Sequence, residues 1–193
     1  MLRFTEDEYK SFMASRCFEK KRQKKADSFL ALAPSKKPSP HAVALAALAK
    51  NPELLKGNQE HFEQAFIFDY FERKHPDIYA LLHATPNGGK RSKATAGKMK
   101  AEGQKKGYPD MSLDMARGIY HGMRIELKAP GGPAPTNEQI EWMHKLREEG
   151  YYVVLAYGAE EAITAILEYV NLQKFQAIDH ILNAHRWFNV GVK

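Results

Sequence analysis

Cys17 is the only cysteine among 193 residues, so an intrachain disulfide is impossible and a cysteine-rich zinc site is excluded. The longest apolar run, Ala42 to Ala49, is far too short to span a bilayer, and the opening Met1-Leu2-Arg3-Phe4-Thr5-Glu6-Asp7 lacks the apolar core of a signal peptide. These absences predict a soluble, cytoplasmic protein in a reducing compartment, with no membrane partner. No internal repeat is found, and no H-x₃-H pair joins any of the eight histidines to nearby acids. Acids are outnumbered: 23 Asp and Glu face 29 Lys and Arg, for a formal charge of +6, which favours a polyanionic partner.

The length suits one domain with a real core plus an appendage. Thr5 and Glu8 can form a capping box opening a helix to about Lys25, and the three prolines of Pro34-Ser35-Lys36-Lys37-Pro38-Ser39-Pro40 then impose an extended linker. A short alanine-rich helix over His41 to Lys50 stops at Asn51-Pro52. Residues 1–57 therefore read as a basic helical arm with its linker. From residue 58 the pattern predicts a helix over 59–74, a strand over Tyr79–Ala84, a basic helix and loop over Ser92–Lys106, and a hairpin. A helix over Thr136–Glu149 ended by Gly150, a strand over Tyr151–Tyr157 and a helix over Ala159–Val170 follow. The tail, 171–193, extends as a helix to about His185 and carries an apolar pair, Trp187-Phe188. The fold class is α/β, a small mixed sheet flanked by helices.

Chemistry concentrates between Pro109 and Lys128. Side chains alternate along a strand, so Glu126 and Lys128 share one face while Ile125 and Leu127 turn to the other. Asp110 to Met115 alternates likewise, and Arg117-Gly118 marks a turn that would bring Asp110 close to Glu126. Two carboxylates offer the hard oxygen ligands that Mg²⁺ or Mn²⁺ prefers, and a lysine beside them can orient an attacking water. This is the pattern of a metal-dependent phosphodiesterase. Between His83 and Lys106 lie Lys90, Arg91, Lys93, Lys98, Lys100, Lys105 and Lys106 against the single acid Glu102, a candidate phosphate-tracking surface. Asn87-Gly88-Gly89 is either a plain tight turn or a backbone that a phosphate can approach.

Pro109-Asp110 followed by Glu126-Leu127-Lys128 resembles the PD-(D/E)XK nuclease signature. Glu60-His61-Phe62-Glu63-Gln64, Thr85 to Arg91, Lys106-Gly107-Tyr108-Pro109-Asp110, Gln139 and Gly150-Tyr151 occur in the order that resembles the VRR-NUC family, the virus-type replication-repair nucleases, over roughly residues 58–170. The resemblance implies a PD-(D/E)XK-type core and a Mg²⁺- or Mn²⁺-dependent DNA endonuclease of phage or bacterial type. It implies action as a homodimer on branched DNA such as four-way junctions, leaving a 5′-phosphate and a 3′-hydroxyl. It also implies metal ligands: Asp110, Glu126, the Leu127 carbonyl and a helix-borne acid. That acid is Glu60, four residues before Gln64, with Glu63 as competitor, since all three lie within one helical arc. Gln139 resembles a family glutamine that points back to the site, but Thr136-Asn137-Glu138-Gln139 is equally a capping box. The alternatives are a nuclease for flaps or specific duplex sequences, and a non-catalytic DNA-binding module.

Overall fold

The computed structural model describes residues 37–86, 93–175 and 177. The helix expected over Thr5–Lys25, the turn expected over Thr85–Lys90 beyond Pro86, and the Trp187-Phe188 pair lie outside the described residues. The chain forms two compact units, 1–57 and 58–193. In the first, α1 (Pro40–Lys50) starts where the Ser39 hydroxyl accepts the Ala42 N–H at 3.2 Å and Pro40 occupies the first turn, where a missing N–H does no harm. Asn51 ends it, and its side chain accepts the Glu53 N–H at 3.3 Å to begin a 3₁₀ turn over Pro52–Leu55.

The second unit runs α2 (Gln59–Lys74), α3 (Pro76–Tyr79), β1 (Leu82–Ala84), α4 (Lys93–Ala101), β2 (Met111–Leu113), β3 (Met123–Lys128), α5 (Asn137–Glu148), β4 (Tyr152–Tyr157) and α6 (Ala159–Val170). The four strands make one mixed sheet in the order β1-β2-β3-β4, antiparallel except for the parallel pair β3 and β4. One face is apolar: Met111, Leu113, Met123, Ile125 and Leu127 are sealed from solvent, and Tyr152 of β4 stacks on Tyr169 of α6 at 5.6 Å and 8°. Burying each such side chain contributes roughly 1.5–3 kcal/mol, enough together to carry a strained or polar opposite face. Among the described residues no helix is long and apolar enough to cross a membrane.

Three expectations need correction. The Tyr79–Ala84 strand is shorter, because Pro76, with its φ pre-set for a first helical turn, draws Tyr79 into α3. The Asp110–Met115 strand is only Met111–Leu113: the Asp114 N–H still continues the β1 register by donating to the Leu81 carbonyl at 3.0 Å, but pairing with β3 stops at Leu113↔Met123. The chain then turns at Arg117–Tyr120, whose backbones exchange hydrogen bonds. Among the described residues α6 ends at Val170, and the rest of the tail expected as a helix to about His185, 178–193, lies outside them. The Asn171 amide donates to the Leu167 carbonyl at 2.8 Å and the Leu172 N–H goes back three residues to Tyr169, which closes the last turn.

Candidate active site

The strand β3 carries Glu126 and Lys128 on one face, as alternation requires, yet that face is covered: Glu126 is 0% and Lys128 8% exposed. The cause is topological. Parallel neighbours need a crossover, and the crossover helix α5 packs Met143 and Leu146 on Val153 and Leu155, the β4 partners in register with Arg124 and Glu126. Its first turn therefore lies over the end of β3 that bears Glu126 and Lys128. Thr136 caps that turn, accepting the Gln139 N–H at 3.4 Å, while Gln139 Oε1 accepts the Thr136 N–H at 2.8 Å. The same Oε1 accepts from Lys128 Nζ at 3.2 Å, and Gln139 Nε2 donates to Glu126 Oε1. The two readings of Gln139 thus coexist, since the capping box is what holds its amide over the strand.

Asp110 precedes β2, and its backbone carbonyl accepts the Thr85 N–H at 2.7 Å. Its Oδ2 accepts the Leu127 N–H at 3.0 Å, so Leu127, expected to act through its carbonyl, meets Asp110 through its N–H. Burial raises the Asp110 carboxyl above its usual range, opposed by that N–H and by Lys128. Burial likewise raises Glu126, with the Asp110 charge adding to it, to about 8. Lys128 Nζ sits 3.0 Å from Glu126 Oε1, whereas the buried Glu126 Oε2 has no hydrogen-bond partner. An acceptor-only oxygen sealed from water without a donor is costly. With both carboxyls ionised the set would have more negative charge than Lys128 alone can balance, and its ligating atoms are oxygens, which suits a hard divalent cation. Among the described residues no three His, Cys, Asp or Glu side chains form a ready-made metal cage.

Geometry separates Glu60 from Glu63. The buried Glu63 faces the other way, its Oε2 accepting the Ala159 N–H at 2.7 Å. It caps α6, whose N-cap residue, Gly158, has no side chain to do so. Glu60, exposed in the first turn of α2, is close enough for its charge to raise both Asp110 and Glu126. Gln64 is half-buried on the same helix.

Of the basic residues, Lys98, Lys100, Lys105 and Lys106 are exposed. Lys98 lies 3.8 Å from Glu102, and Lys106 Nζ is bonded to the Glu138 carboxylate. Asn87, Lys90 and Arg91 lie outside the described residues, as does the side chain of Lys93. The excursion that bears this charge is rooted at the site: Gln104 donates to the Pro86 carbonyl, and Thr85 joins Asp110.

Several participants had no signal in the sequence. Arg124, on the Glu126 face, lies 4.1 Å over the Tyr151 ring and donates to Asp114 at 3.1 Å, and Asp114 in turn meets His83 at 3.0 Å. The contact between Glu138, read only within the capping box, and Gly107, read only within the Lys106–Asp110 word, was equally unforeseen. With φ of +82°, Gly107 packs so tightly on α5 that a Cβ there would lie 2.8 Å from the Glu138 carbonyl carbon.

The VRR-NUC domain family matches residues 58–160. A solved structure described as a VRR_NUC domain protein is similar to this chain at 33% identity and a TM-score of 0.54, over 62% of this chain and 94% of its own. No curated protein matches. The matched span starts at the helix of Glu60, contains Asp110, Glu126, Lys128 and Gln139, and ends just after Ala159, which Glu63 caps, so the chain belongs to the VRR-NUC family of nuclease-type domains.

Proposed function

We propose that this protein is a Mg²⁺- or Mn²⁺-dependent DNA endonuclease selective for branched DNA such as four-way junctions, acting as a homodimer. The observation that carries the metal is Glu126 Oε2, buried without a donor beside a second carboxylate. Asp110, Glu126, the Leu127 carbonyl and Glu60 would hold the ion, which when bound polarises the phosphoryl oxygen and makes its water a better nucleophile. Lys128 orients that water and offsets charge growing on the phosphate. Gln139 holds Glu126 and Lys128 in place, tying one oxygen of the carboxylate and leaving the other free to act as ligand. The exposed Lys100 and Lys105, with Asn87, Lys90, Arg91, Lys93 and Lys98 of the same stretch, grip the phosphate backbone, while Lys106 is occupied by Glu138. A homodimer suits a junction because symmetric cutting needs two sites in fixed relation.

Labelled four-way junction, flap, linear duplex and single-stranded DNA, each incubated with Mg²⁺, Mn²⁺ or chelator, test the reading. Paired nicks in the junction, dependent on metal and reduced about 10³-fold by Asp110→Ala, are expected; the loss equals about 4 kcal/mol of transition-state stabilisation. Cutting in chelator, or undiminished cutting by the variant, would defeat the metal assignment. Equal cutting of flaps and linear duplex would remove the junction preference alone.

A further inference from the structure

Asp110 and Gln139 reach the same carboxylate from separate parts of the chain, and three consecutive residues fasten those parts together. Lys106 Nζ bonds the Glu138 carboxylate, Gly107 lies flat against the Glu138 backbone, and the Tyr108 ring meets Trp142, one helical turn on, at 5.2 Å. The segment then runs through the buried Pro109 into Asp110. On the helix side, Glu138 is followed immediately by Gln139. The contact at Gly107 is the restrictive one. Its backbone lies in the left-handed region, and the neighbour that any added Cβ would strike is main chain, which cannot swing aside as a side chain tip can.

We infer that Lys106, Gly107 and Glu138 form a clasp of positioning residues that sets the Gln139 amide on Glu126 and Lys128 against Asp110. Lys106, which the sequence places among the phosphate-binding cations, thereby acts within the protein. The inference rests on the nuclease reading only for its kinetic consequence; the geometric part stands apart from it. An exposed ion pair contributes little to stability, and Lys106 and Glu138 side chains are 76% and 44% exposed. Their value is in register, which a tight backbone contact then fixes. Displacements of about 1 Å at such a distance from the reacting atoms can reduce rate about 10²-fold.

The whole 193-residue chain carrying Gly107→Ala tests this by two measurements. In ¹⁵N-resolved NMR the Gln139 side-chain amide pair, identified by its loss in Gln139→Ala, should move toward the position of free glutamines while circular dichroism stays native. In cleavage assays kcat should fall roughly ten-fold with KM for DNA unchanged, and in the Gln139→Ala background the same change should cost less than about two-fold, the non-additivity of residues acting as one unit. Should Gly107→Ala fail to fold, Lys106→Glu must displace the Gln139 signal and Lys106→Glu with Glu138→Lys must restore it. An unmoved Gln139 amide, or kinetic losses that multiply, would overturn the clasp. If the unsubstituted protein cuts nothing, the nuclease reading falls while the NMR arm still decides this inference.

Discussion

Replacing Glu126 by glutamine should strengthen the metal-free fold and silence cleavage together. The carboxyl stands at 4.5 in an unfolded chain and at about 8 in the fold, raised first by burial and then by Asp110. A group raised in this way favours the folded state fully only below 4.5, where both states hold the proton. The advantage is drawn down as pH rises from 4.5 and is gone above about 8. At 1.36 kcal/mol per pH unit the full change amounts to roughly 5 kcal/mol, an upper figure because a buried pair relaxes. Glutamine removes this dependence and fits the surroundings: Oε1 can still accept from Gln139 and Lys128, and the new amide takes the place of the partnerless oxygen beside Asp110. Denaturant unfolding in chelator at pH 5, 7 and 9 should show the natural protein weakening across the series and Glu126→Gln holding, with Mg²⁺ recovering stability only in the former. Cleavage by the variant should fall about 10³-fold. Parallel pH profiles for the two proteins would refute the account of the buried carboxyl, whatever the activity.

Glu60→Gln should depress cleavage more than Glu63→Gln, while Glu63→Ala should lower unfolding free energy by about 1–2 kcal/mol because α6 loses its cap; the reverse pattern in paired activity and melting data would exchange the two roles. DNA binding measured by anisotropy should survive chelator and weaken steeply with salt, and Lys100→Ala or Lys105→Ala should each lower the salt slope by about one. A flat salt response would return α4 to being a solvated surface. Light scattering of the purified chain should give about twice its 21.9 kDa if two sites act together, and a monomer that cuts junctions in pairs would remove the reason for a dimer.

Local rules made α2, α5, β4 and α6 legible. Residues 59–74 contain no glycine or proline, Thr136 and Gln139 announce the start of α5, and Gly150 ends its turn. The faces of β3 were equally plain, since alternation depends only on neighbours in sequence. What covers a face does not. Glu126 and Lys128 are buried by a helix that begins nine residues after the strand ends, and only the parallel pairing of β3 with β4 brings it back over them. The role of Glu63 depends on Ala159, 96 residues away, and that of Lys106 on Glu138, 32 away. No window of helical or strand periodicity spans such distances. Pro76 is a different failure: an apolar stretch after it suits a strand, but the proline had already fixed the first turn of α3.

The two faces of the sheet divide the work between stability and chemistry. One is filled by aliphatic, methionine and stacked tyrosine side chains, which can absorb the unfavourable burial of two acids on the other. On that second face α5 itself changes character along its length. Met143 and Leu146 anchor its middle and end on Val153 and Leu155, leaving Gln139 at its capped start among Glu126 and Lys128. A helix held only by its polar start would let that amide wander. A helix apolar throughout would seal the carboxylates beyond use. Anchoring the distal turns fixes the axis, the Thr136 cap fixes the first turn, and the contact with Gly107 fixes where Asp110 stands relative to both. The buried Glu126 oxygen without a donor stands beside the Asp110 charge, and a proton or a cation is what relieves such a pair.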